Sequence, residues 1–351
     1  EGVIFVTEDG LLLTYPHPAP GVPTLPTHGP QRWPLDRVDG GYTVADPHTG
    51  RTWHFADRTP DLAVLEQIDD RNGNWITFEN DAEGTPLAVT SSGGYRLTLT
   101  VEDERVTALS LAGADPDGTD QLIKRYAYSE TGDLTQVLDS ADRPLTFTYD
   151  ERGRVTSWTD SNDRSYTYEY DDQDRCIAEG GEAGHMALRL SYDEVDPATG
   201  HRVTTATTGE GHTRRYLIDA ADQVVAETDP LGHVTRFTRD RFGRVLTRTD
   251  PLGRTTSCSY DETGNMVSVA RADGRAVTAE YGDFNRLTRI RGTDGNTTRH
   301  TYDARGNRLT STTPSGHTTR FTHDEAGRLT SVTDPLGHVT TVRCDRAGLP
   351  V

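Results

Sequence analysis

Aspartate is the residue this chain spaces most regularly. It, or a stand-in, falls at positions 129, 150 and 171, and again at 219, 240, 261, 282, 303, 324 and 345, with 21 residues between neighbours in each run. Carboxylates can move protons or hold hard cations, but acid–base work needs a pocket and a shifted pKa rather than a period. At a fixed backbone slot, Asp instead hydrogen-bonds its own main chain and starts a turn. One acidic cluster stands outside the period: Asp115, Asp117 and Asp120, in the stretch Asp115-Pro116-Asp117-Gly118-Thr119-Asp120. Three such side chains could ligate calcium, yet the full ligand loop and its closing Glu are missing. The stretch reads as a solvated acidic loop, with calcium the lesser reading.

Histidines at 212, 233, 317 and 338 also recur in one slot, which Arg164, Arg254, Arg275 and Asn296 fill elsewhere. Equivalent positions one repeat apart lie two strands apart, about 9.6 Å. Zinc holds its ligands at about 2.1 Å, so the ladder reads as an exposed polar row and not a metal centre. Cys176, Cys258 and Cys344 are too few and too scattered for a disulfide framework or a zinc site. No metalloprotease, nucleophile-elbow or phosphate-loop pattern occurs. Neither a catalytic residue nor a cofactor is expected.

Composition narrows the partners. The chain has 55 Asp and Glu against 36 Lys and Arg, a formal charge of -19. Nucleic acids and anionic membranes call for basic surfaces. Apolar runs such as residues 3–6 are far too short to span a bilayer, and no signal-peptide pattern is visible. The chain opens on Glu1 and stops just inside a further unit at residues 344–348, so it reads as a fragment of something longer.

The elements that must carry these residues are turns and strands. Each repeat holds two Asp-x-x-Gly turns, as at Asp240/Gly243 and Asp250/Pro251/Gly253, with Asp261/Gly264 opening the next. Asp first, Pro second and Gly fourth is the type I pattern, and the Gly suits a bulge that needs positive φ. The same frame covers Asp150/Gly153, Asp303/Gly306, Asp324/Gly327 and Asp334/Pro335/Gly337. Where Gly is absent the slot holds Asp142, Asp163, Asp174, Asp222 or Asn285, the types most tolerant of left-handed backbone. Arg105 alone fits the slot badly.

Between turns lie six or seven residues rich in Thr, Val, Tyr, Arg and Ser, of strand length and strand composition. The chain therefore predicts antiparallel hairpins of about 21 residues per two-strand unit, roughly 27 strands from residue 68 onward. Such a sheet would be on the order of 130 Å wide and must curl, which points to a spiral β-shell. Residues 1–60 lie outside the period and read as a β-rich cap with a Pro-rich extended segment. Residues 61–351 are the array. Insertions are expected near 113–121, 179–186 and 194–201.

The motifs Tyr-Asp-x-x-Gly-Arg-Leu and Asp-Pro-Leu-Gly resemble the Rhs family and its YD repeats. Residues 149–155, 302–309 and 323–329 and the turns starting at 229, 250 and 334 carry the likeness, and residues 68–74 resemble the stretch that opens bacterial arrays. The resemblance implies a hollow β-cocoon around a variable C-terminal toxin. Shell components of insecticidal toxin complexes and the teneurins are relatives. Many members release the toxin by aspartyl self-cleavage at the far end of the core; Asp229, Asp250 and Asp334 lie in ordinary repeat turns and do not take that role.

The expected function is thus a non-catalytic encapsulating shell of an exported bacterial polymorphic toxin. Its cargo would be its own C-terminal domain, with secretion-apparatus or carrier proteins at the N-terminal end. The alternative is an extracellular adhesion module that binds glycan or protein through its outer face, its inserted loops or the Tyr166, Tyr168 and Tyr170 strip.

Overall fold

A computed structural model describes residues 2–29, 31–114, 117–344 and 351. Along them run thirty-one β-strands, from Gly2–Val6 to Val339–Thr341, and two single 3-10 turns, Glu182–Gly184 and Asp283–Asn285. The described strand pairs are antiparallel and join sequence neighbours, as short turns require. From Trp75–Asn80 onward the chain holds the seventh to the thirty-first strand. That is slightly fewer than the spacing implies, because long connections consume residues and 345–350 lie outside the description.

The chain divides into two compact units. The second comprises Thr85–Leu87 and Leu97–Phe237 and is a run of hairpins. The connections near 179–186 and 194–201 are shorter than the sequence suggested, since Cys176–Gly181 and Leu188–Val195 remain strand. The turn before Arg105 also differs. Glu102 pairs directly with Arg105, and the two residues between them, Asp103 and Glu104, have φ of +49° and +62°. This is a two-residue turn with two left-handed positions, so Arg105 begins the next strand and occupies no glycine slot.

The first unit comprises Glu1–Gly84, Ala88–Arg96 and Thr238–Val351. Gly2–Val6 and Leu12–Pro16 form a separate two-stranded sheet. One ladder runs from Leu35–Val38 to Trp75–Asn80, and another from Val245–Thr249 to Val339–Thr341. The Pro-rich segment between the second and third strands is irregular and makes single bridges such as Thr24 with Leu35. Here lies the one buried cluster among the described residues: Phe5, Leu13, Tyr15, Leu35, Val44 and Trp53. Trp33 stacks on Trp53 at 5.0 Å, and Tyr15 donates its hydroxyl hydrogen to the Trp33 carbonyl at 3.0 Å. Each buried large side chain contributes about 1.5–3 kcal/mol. Outside that cluster the buried apolar residues among those described are Ala88, Val203 and Ala226. Strands such as Leu134–Asp139 and Leu329–Thr333 are half-buried at every residue.

Candidate functional site: the repeated turn

The described aspartates of the repeated turns share one arrangement. At Asp150, Asp240, Asp250, Asp261, Asp303, Asp324 and Asp334 the carbonyl accepts the amide of the Gly three residues on at 2.9–3.1 Å. The Asp amide donates to the carbonyl four residues on at 2.9–3.0 Å, which closes the hairpin. Oδ1 then accepts two more amides, at positions +2 and +4, at 2.8–3.1 Å. Gly153, Gly243, Gly253, Gly264, Gly306, Gly327 and Gly337 have φ of +74° to +90°, and the substitutes Asp142, Asp163, Asp174, Asp222 and Asn285 have +52° to +63°. Pro251 and Pro335 occupy the position whose missing N–H this geometry does not use.

The second carboxylate oxygen is also taken. Oδ2 accepts Nε of Arg154, Arg244, Arg254 or Arg328, Nδ2 of Asn265 or Asn307, or Nδ1 of His338. The Arg154 guanidinium holds the Asp150 carboxyl below the usual carboxylate range. The Arg254 and Arg328 backbone amides do the same for Asp250 and Asp324, and the His338 side chain for Asp334. These groups stay ionised and are weaker bases than free carboxylates. Their chemistry is to fix the main chain.

The arginine and tyrosine of the motif link one repeat to the next. Arg154 lies over the Tyr170 ring at 4.8 Å, while the Tyr170 hydroxyl donates to the Val155 carbonyl at 2.8 Å. Arg244, Tyr260 and the Val245 carbonyl repeat this at 4.6 and 3.1 Å, and Arg175, Tyr192 and the Cys176 carbonyl at 4.8 and 2.6 Å. Tyr149, Tyr281 and Tyr302 make the same reach. Each of these strands slips register just before its tyrosine, a bulge that turns the side chain toward the preceding unit. Burial pushes Tyr149, Tyr170, Tyr260 and Tyr281 above the usual phenol value. Asp thus locks the turn, Arg ties Asp to the next Tyr, and Tyr ties back to the strand after the turn. No residue-type rule exposes this lattice, although the 21-residue spacing of the tyrosines was a visible signal.

Within the first unit a seam joins turns far apart in sequence. Arg71 donates to the Thr49 and His48 carbonyls and to Asn265 Oδ1, at 2.8, 2.6 and 3.1 Å. Asn285 Nδ2 donates to the Arg71 carbonyl at 3.0 Å, and His48 Nε2 lies 3.1 Å from the Phe242 carbonyl. Asn265 is almost wholly buried there.

The remaining candidates do not converge. Asp115 lies outside the described residues. Asp117 accepts the Thr119 amide and hydroxyl, whereas Asp120 accepts the Gly113 amide and the Thr98 hydroxyl. No three potential ligands gather around a common point among the described residues. His212, His233, His317 and His338 each contact an acidic or hydroxyl group of their own turn. The three cysteines are free thiols. Tyr166 stacks on Trp158 at 5.7 Å, Tyr168 accepts the Trp158 indole N–H, and Tyr170 belongs to the lattice. No helix among the described residues is long and apolar enough to cross a membrane.

A model of the RHS repeat matches residues 128–157, 149–186, 219–255, 240–276, 281–318, 307–340 and 323–351, together more than half of the chain. The chain belongs to the RHS repeat family. The Asp–Arg–Tyr lattice is therefore the structural content of its RHS repeats. Double-stranded DNA deaminase toxin A of Burkholderia cenocepacia (strain H111) is 29% identical over 115 residues, 31% of this chain and 8% of that protein. The TcdB2-TccC3-Cdc42 structure aligns with 98% of the chain at 13% identity, with a TM-score of 0.40. The Photorhabdus luminescens Tc holotoxin pore aligns with 97% at 16% identity and 0.39. The chain spans 22% and 21% of those two solved chains.

Proposed function

We propose that the RHS array is the wall of a toxin shell, curled into a spiral cocoon that holds a C-terminal effector apart from the cell that makes it. The array has no catalysis of its own in this reading. Residues 1–60 serve as a cap on residues 61–351, the protein is exported from a bacterium, and carrier or secretion proteins engage the N-terminal end.

One observation carries the proposal. Among the described residues beyond the Phe5–Trp53 cluster, the strands bury almost no apolar side chain completely; some are half-buried at every residue and others alternate half-buried with exposed residues. A sheet in a layered domain buries one face against a second layer. A ladder held by turns, ring contacts and main-chain bonds instead of a dry core can face water or loosely folded cargo on either side. Family membership and a toxin relative agree with a structural role of this kind.

The test is limited proteolysis of the full-length protein. The C-terminal domain should resist a protease that digests the same domain in isolation. Equal digestion rates would contradict enclosure.

A further inference from the structure

Two departures from the repeat meet at one cleft in the first unit. In the turns at 150, 240 and 324 the Asp four residues before the arginine binds its guanidinium. At the matching position before Arg286 stands Gly282, although the hairpin closes as usual through the Gly282 amide and the Arg286 carbonyl at 2.9 Å. The Arg286 Nε is buried without a hydrogen-bond partner. Its guanidinium lies against Gly306, where a Cβ would come within 2.8 Å of Nε and Nη2. In the following repeat the tyrosine slot of Tyr281 and Tyr302 is filled by His323. The two tyrosines reach carbonyls of the preceding unit; the shorter imidazole does not, and its Nδ1 is buried and unpartnered.

What remains is an open cleft of about 530 Å³, walled by Arg286, Arg308 and His323 and by the apolar faces of Tyr302, Phe321 and Leu329. Neither Arg286 nor Arg308 has a carboxylate at ion-pair distance among the described residues, in a chain of net charge -19. The nearby carboxylates, Asp70 near Arg286 and Asp303 near His323, act on these groups through space and spend their hydrogen bonds on their own turns. Asp70 accepts the Asn72 and Asn74 amides, and Asp303 those of Arg305 and Asn307. With no internal hydrogen bond or ion pair among the described residues, the Arg286 guanidinium is an unneutralised charge that an incoming acceptor can meet through its terminal nitrogens. Guanidinium forks match carboxylate and phosphate oxygens, and the ring-lined wall suits an apolar body. We propose that this cleft binds an oxyanion, carboxylate or phosphate, carried on a small aromatic group.

Calorimetric titration of the whole chain with phenyl phosphate, benzoate and inorganic phosphate tests this. The first two arms separate phosphate from carboxylate, and the third tests the need for the ring. Saturable one-to-one binding is expected, tighter for an aromatic ligand than for inorganic phosphate. Arg286→Gln should weaken it about tenfold or more. His323→Tyr restores the side chain of the repeat, fills the cleft and should abolish binding. Arg254→Gln, in an ordinary exposed turn, should leave it unchanged. Absence of saturable binding, or binding that survives both cleft variants, overturns the proposal; inorganic phosphate binding as tightly overturns the aromatic part. On the unaltered protein, phenyl phosphate or benzoate should shield Arg286 and Arg308 from phenylglyoxal, read by peptide mass spectrometry. Equal labelling with and without either ligand also overturns it.

Discussion

Arg244 and Asp240 expose only 13% and 17% of their side chains, while Arg254 exposes 68%. The same bond therefore has different worth in the two turns of one repeat. Arg244→Met should cost about 2 kcal/mol in urea unfolding, between the values of surface and fully buried pairs, and Arg254→Met far less. Tyr260→Phe should cost about 1 kcal/mol, since the Val245 carbonyl loses its donor. Acid acts on the turn carboxylates whose pKa is lowered. Asp150, Asp250, Asp324 and Asp334 are held below 3.8, so their stabilisation is complete above that value and fades as pH falls through it. Tyr149, Tyr170, Tyr260 and Tyr281 are raised above 10.0, so theirs is complete below that value and is lost at higher pH. Thermal midpoints against pH should form a plateau that drops at both ends. A midpoint that rises on acidification below 3.8 would contradict the carboxylate assignment. The backbone role of these aspartates was legible because turn chemistry is local. The Arg–Tyr lattice was not, because it depends on a register slip that brings Tyr170 beside residue 155.

At the scale of the turn, glycine and its substitutes share one backbone demand but not one surrounding. Gly264 has φ of +86°, and a Cβ there would sit 2.9 Å from the Pro47 carbonyl oxygen. Gly264→Ala should therefore destabilise by more than about 1 kcal/mol, whereas Asp222→Gly, at φ +58°, should change stability by less than that. Denaturant midpoints of the two variants check the contrast, and equal losses would contradict it. The Gly, Asp and Asn exchange made the hairpin order readable along most of the chain. Arg105 was unreadable because Asp103 and Glu104 share the left-handed burden, and Glu is seldom chosen for it. The connections near 179–186 and 194–201 fall where insertions were expected but are shorter, since strand pairing runs into residues that look like loop.

Over the whole molecule, neighbouring repeats bind one another and stability should be a sum of local terms. The seam in the first unit is the exception, joining Arg71 to Asn265 across 194 positions. Nothing in the spacing of residues announces such a contact, which exists only once the ladders are built. Arg71→Ala should speed amide exchange in the turns at 261–265 and 283–286 and leave the second unit unaffected; uniform exchange would deny the seam a local role. The proposed role is enclosure of a C-terminal effector by the array. Electron cryomicroscopy of the full-length protein tests it most directly. The account predicts density for the C-terminal effector bounded by the strands of the array. Effector density wholly outside the array, or an array packed into a solid body with no interior, would contradict it.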